Sequence, residues 1–119
     1  MSTLNVANVT DGTTSVPTGY VVNGSAKAWV SWSATGGTPT INGSLNASSM
    51  TDIATGDAEA NFTSAMANSN FAVTTASTAN SITSVDGRTT TKFRARTISN
   101  FTNYVDYPDI QTAAHGDLA

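Results

Sequence analysis

The chain has no cysteine, one histidine and only 11% charged residues in 119 positions. Without cysteine it has no disulfide staple, thiol nucleophile or thiolate ligand. Its single imidazole, His115, has no second histidine and no acidic cluster at ligand spacing, so a metal site within one chain is not expected. Basic residues are too few for a cationic surface: the net charge is −3 and the pI about 4.6, which favours neither nucleic acid nor an anionic membrane as partner. No run of about 20 apolar residues is present to cross a bilayer. Residues 1 to 20 also lack the basic start and apolar middle of a signal peptide, so the expectation is an unprocessed, soluble chain with no membrane insertion.

What the chain does have is hydroxyls and amides, since about four residues in ten are Ser, Thr or Asn. Such side chains pair strands and hydrogen-bond to neutral partners, but they are poor at acid, base or metal chemistry. The length suits one domain. Hydrophobic residues make up 39%, but many are alanine, and the large core-fillers are few: Trp29, Trp32, Phe62, Phe71, Phe93, Phe101, Tyr104 and some Ile and Val. A core this thin suggests help from neighbouring chains.

Apolar residues recur at period two far more than at 3.6, between clusters of Gly, Asn and Asp, which predicts an all-β fold. Leu4, Val6 and Val9 form a first strand ending at Asp11-Gly12, and residues 12 to 19 read as an extended connector. From Ala26 to Ser33 the sequence alternates, with Ala28, Val30 and Trp32 on one face and Lys27, Trp29 and Ser31 on the other. A tryptophan on each face predicts cover on both, by a second sheet or another subunit. Thr40 to Asn46 gives a short strand. Met50 to Ala54 and Ala58 to Thr63 flank a hairpin turn at Thr55-Gly56-Asp57, with Ile53 and Phe62 in one cluster. After a loop over Ala65 to Asn70, further strands fall at Phe71 to Ala76, Ile82 to Val85, Thr89 to Ile98, Phe101 to Tyr107 and Ile110 to His115. Asp86-Gly87 marks a second hairpin. About eight short strands with turn signals every 8 to 12 residues predict an antiparallel β-sandwich or small barrel.

Five fragments in fixed order carry a resemblance: AWVSW at Ala28 to Trp32, NASSMTDIATGD at Asn46 to Asp57, NFTSAM at Asn61 to Met66, NFAV at Asn70 to Val73, and the terminal GDLA at Gly116 to Ala119. Together they resemble a domain common near the C-termini of bacteriophage tail-fibre and related virion proteins, and LNVANVTDGTTSVPTG is similar to the short repeat before such domains. The sequence departs from the family pattern at His115, where an aromatic residue is usual, and at Ala58 and Ala60, where larger side chains thicken the hairpin. Met1 leads directly into the repeat, so one short fibre unit is expected rather than the tip of a long fibre. The resemblance implies a homotrimeric virion protein, assembled in the host cytoplasm, that contacts other phage virion proteins and a host surface polysaccharide. Residues 1–25 would attach it, through Leu4, Val6 and Val9, and residues 26–119 would form the sandwich head. A capsid decoration or cement protein is the alternative.

Candidate contacts follow. Trp29 can stack on a sugar ring, although strand tryptophans are more often core or interface. Tyr104, Asp106 and Tyr107 put two aromatic rings beside a carboxylate that can accept sugar hydroxyls. Lys92, Arg94 and Arg96 share one strand face; they suit an anionic glycan or phosphate, but the commoner role is pairing with Asp57, Glu59, Asp106 or Asp109 across a subunit boundary. No catalytic group stands out. The serines lack a GxSxG elbow, and Asp52 and Asp57 read as turn formers rather than a glycosidase pair, so no enzyme activity and no cofactor are expected.

Overall fold

A computed structural model describes residues 1–78 and 81–119. Within them are eleven strands and one short helix: β1 (Asn8–Thr10), β2 (Ser15–Pro17), α1 (Thr18–Gly24), β3 (Ala26–Ser33), β4 (Thr40–Leu45), β5 (Ala47–Ala54), β6 (Asp57–Phe62), β7 (Ala72–Ser77), β8 (Ser81–Thr89), β9 (Lys92–Ser99), β10 (Asn103–Tyr104) and β11 (Ile110–His115). Every pairing is antiparallel, as the period-two pattern requires. The fold is therefore all-β, with more strands than the eight expected.

Three sheets form. β1 and β2 make a two-stranded ribbon; β4, β3, β11 and β7 lie side by side in that order; and β9 joins β6 and β5 to β8, with β10 at one end. The two larger sheets feed one apolar cluster. Ala28, Val30 and Trp32 come from β3, Ile110 and Ala114 from β11, Ala58, Ala60 and Phe62 from β6, and Phe93 and Ala95 from β9. Phe62 sits at the centre of the aromatic contacts, with its ring 5.5 Å from Phe71 edge-on and 5.7 Å from Phe93. Such pairs add about 0.5–1.5 kcal/mol beyond the area they bury.

The alternation read along β3 and β9 is kept in their burial, and β11, expected only as a strand, alternates in the same way. The departures are local and have physical causes. The first strand is Asn8–Thr10, later than Leu4 to Val9, because its partner β2 ends at Pro17, opposite Asn8, where the chain enters α1. The expected connector contains β2 and runs into α1, which starts after Pro17 and has no side-chain cap. Asp86-Gly87 is not a hairpin. Gly87 takes a positive φ of 55° within β8, the register slips between Asp86 and Thr89, and the chain reverses at Thr90-Thr91 instead. A glycine at positive φ serves a bulge as well as a turn. The strand expected from Phe101 to Tyr107 shrinks to β10, since Asn100 and Phe101 both adopt positive φ and turn the chain. Ile53 is exposed and does not join Phe62, and Phe101 and Tyr104 also lie outside the core.

Gly56 is the tightest point of the β5–β6 turn. Its φ is +65°, and a Cβ there would lie 2.6 Å from both Thr97 O and Val105 N. Asp106 holds the same turn by accepting the Gly56 N–H at 2.6 Å. Gly56→Ala is therefore expected to cost about 2 kcal/mol or more in urea unfolding, whereas Gly24→Ala, with nothing within 4 Å, should shift stability by no more than about 0.5 kcal/mol.

Candidate functional site

Two surfaces and one segment bring the candidate residues together. The first surface is the outward face of the β4-β3-β11-β7 sheet. With Val30 and Trp32 turned inward, Trp29 and Ser31 must point out, and Trp29 is 42% exposed. No second sheet of the chain covers Trp29 among the described residues, so of the two covers expected for this face, a second sheet or another subunit, the first is not formed. The register sets Leu45, Trp29, Ala113 and Thr74 in one cross-strand row and Gly43, Ser31, Gln111 and Ala76 in the next. The indole reaches over Gly43, where a Cβ would stand 3.5 Å from the Trp29 ring, in ordinary van der Waals contact. Beside the ring, over β11 and β7, lies an open depression of about 450 Å³ lined by Trp29, Ser31, Thr74, Ala76, Gln111 and Ala113.

The second surface is the outward face of β6, β9 and β8. Lys92, Arg94 and Arg96 stand on it as expected, but their partners lie within the same chain. Lys92 Nζ reaches Glu59 Oε2 at 2.8 Å. Arg94 forks onto both oxygens of Asp57, and Arg96 bonds Asp57 Oδ2 at 3.3 Å and also Asp86. Three cations meet three carboxylates, which leaves the stripe neutral. Asp57 is only 8% exposed. Burial alone would push its carboxyl up, but the hydrogen bonds from Arg94 and Arg96, reinforced by their charge, outweigh it and hold the group below 3.8. Asp57 therefore anchors an ion-pair network besides opening a strand after the turn.

The three residues of the Tyr104 to Tyr107 group have separate surroundings. Tyr104 is exposed on β10. Asp106 ties the Gly56 turn, and Tyr107 packs against the core while its carbonyl accepts the Ala34 N–H. Asp109 belongs to no ion pair found among the described residues. His115 ends β11 opposite Ala26 and Ala72. No group of three or more His, Cys, Asp or Glu able to hold a metal occurs among the described residues.

The segment is residues 1–25, none of which is buried. Leu4, Val6, Val9 and Val16 on and before the ribbon, and Tyr20, Val21 and Val22 on α1, are all exposed. The Asp11 carboxylate accepts the N–H groups of Thr13 and Thr14 and closes the ribbon turn, while Thr18 bonds back to Ala7. Among the described residues no helix is long and apolar enough to cross a membrane. The sequence did not single out Thr74, Gln111, Ala113 or Gly43, since only register brings these neutral residues beside Trp29.

Comparison with protein-family models, curated proteins and solved structures found no match.

Asp57→Asn is expected to cost about 2 kcal/mol at neutral pH by leaving two guanidinium groups with a weaker acceptor. Because the folded pKa of Asp57 is depressed, its contribution is present above pH 3.8 and fades as pH falls through the lower folded value. Urea titrations should therefore show the gap between native protein and variant closing below pH 3.8; a gap independent of pH would exclude this role.

Proposed function

We propose that this chain is a bacteriophage virion structural protein, a short fibre or fibre-head unit on tail or capsid that acts by binding a host surface. The observation that carries this reading is a division of labour along the chain. Residues 1–25 bury no side chain yet expose Leu4, Val6 and Val9, while the residues that follow build the core and display Trp29 on an outer face whose central cross-strand rows carry no charge. An exposed apolar end and a displayed face suit a protein attached at one end and presented at the other. In this reading the two larger sheets pack as a β-sandwich and three copies assemble, with the ordered fragments from AWVSW to GDLA supporting the fibre family. Exposed Phe101 and Tyr104 are available to neighbouring copies, and the small core gives assembly a stabilising role.

A capsid decoration protein is the second reading, favoured by the β1–β2 ribbon, whose unpaired edges can add a strand from a capsid subunit. The two readings part in experiment. As a fibre unit, labelled protein binds host cells saturably, and deletion of residues 1 to 12 leaves that binding intact; protein that ignores host cells sinks this reading. As a decoration protein, the same deletion abolishes retention on capsids. Light scattering should return about three times the chain mass of 12.2 kDa, and a monomer mass in dilute buffer would reject trimerisation.

A further inference from the structure

We propose that the depression beside Trp29 binds a neutral pyranose glycan. The proposal rests on the surface-binding reading above and names the chemistry that is bound. Its wall is the Trp29 indole, which leans toward Gly43 on β4 and leaves its other side open over β11 and β7. Its floor is small, with Ala113 and Thr74 in the tryptophan's own row and Ser31, Gln111 and Ala76 in the next. The volume of about 450 Å³ falls within the roughly 300–1,000 Å³ usual for small-molecule sites.

The lining selects the ligand. A pyranose offers an apolar C–H face to an aromatic ring and hydroxyls at its rim. Ser31 and Thr74 each offer a hydroxyl that donates and accepts, and Gln111 an amide that does both, which matches those hydroxyls without needing charge. An anionic ligand would need a cation, and neither row contains one. Lys92, Arg94 and Arg96 belong to the other sheet and are held by Asp57, Glu59 and Asp86. Lys27, the nearest basic residue along β3, donates to the carbonyls of Val22 and Ser25. A nucleobase could stack on the indole, but its phosphate would find no partner.

Size argues against a second copy of the chain as the occupant. Four strands about 4.8 Å apart, over ladders of five or six residue pairs, make a face of about 400 Å². A stable protein interface buries roughly 800 Å² per partner.

Tryptophan fluorescence and calorimetry with neutral oligosaccharides of glucose, galactose and N-acetylglucosamine, set against polygalacturonate, test the proposal on the full chain. At least one neutral oligosaccharide should bind with a Kd in the millimolar range or tighter. Trp29→Ala should weaken it at least tenfold, and Thr74→Arg, which fills the depression from an exposed position and leaves the indole in place, should do the same. Both variants should keep the native circular dichroism. Binding of polygalacturonate alone, no binding of any neutral oligosaccharide, or full binding by either folded variant would overturn the site. So would a Trp29→Ala chain whose only change is lost self-association, since a second copy would then cover the face. Host-cell binding measured in parallel separates the two levels. Adsorption that survives in both variants removes the groove and leaves the surface-binding reading standing, whereas absence of adsorption by the native chain removes that reading itself.

Discussion

Strand parity is the constraint on which both surfaces depend. The core is built from alanines that let the sheets approach and a few aromatics that fill the gap: Ala28, Ala58, Ala60, Ala95 and Ala114 with Trp32, Phe62, Phe71 and Phe93. Alanine buries little area, so most of the hydrophobic stabilisation rests on these rings together with Val30, Met66 and Ile110, each side chain contributing about 1.5–3 kcal/mol by burial. Those rings therefore fix which face of each strand turns inward. Trp29 and Trp32 are three residues apart, and on a strand of period two they cannot share a face. Once Trp32 is 1% exposed in the core, Trp29 must stand outside.

The same parity makes the charge network necessary. Turning Phe93, Ala95 and Thr97 inward sends Lys92, Arg94 and Arg96 outward as a row of like charges. On the paired strand, turning Ala58, Ala60 and Phe62 inward sends Asp57 and Glu59 out to meet them. Cross-strand neighbours of opposite sign are favourable where like charges would repel. Asp57 gains most from this, because it is nearly buried and shared by two guanidinium groups. The basic stripe is thus satisfied by its own sheet.

Parity also explains how much the sequence disclosed. Strands with strict alternation, Ala26–Ser33 above all, were legible to the residue, as was the ion-pairing role of the basic row. Whether its carboxylates came from the same chain was not, because Asp57 and Asp86 reach it only through strand register. Glycine was ambiguous for a similar reason: positive φ at Gly56 makes a turn, and at Gly87 a bulge, although each follows a polar residue that signals a turn. Helix α1 escaped notice because two glycines and two β-branched valines in seven residues carry little helical propensity. Trp29 was visible as a candidate, but its companions come from strands some 15 to 85 residues away and are chemically unremarkable until aligned.

The N-terminal segment shows the opposite relation between sequence and fold. Its ribbon is held by bonds among its own residues, with Asp11 capping the turn and Thr18 returning to Val6 and Ala7. Backbone bonds from Thr14 and then Thr13 keep the Asp11 carboxyl below its ordinary value, because they stabilise its charged form. No residue of this segment enters the core, and Lys27 of β3 ties it to the sheets by donating to the carbonyl of Val22. Sites without shared partners contribute independently. On the reading proposed above, attachment through Leu4, Val6 and Val9 would leave unchanged the parity that holds Trp29 on the outer face, as a protein fixed at one end and binding at the other requires.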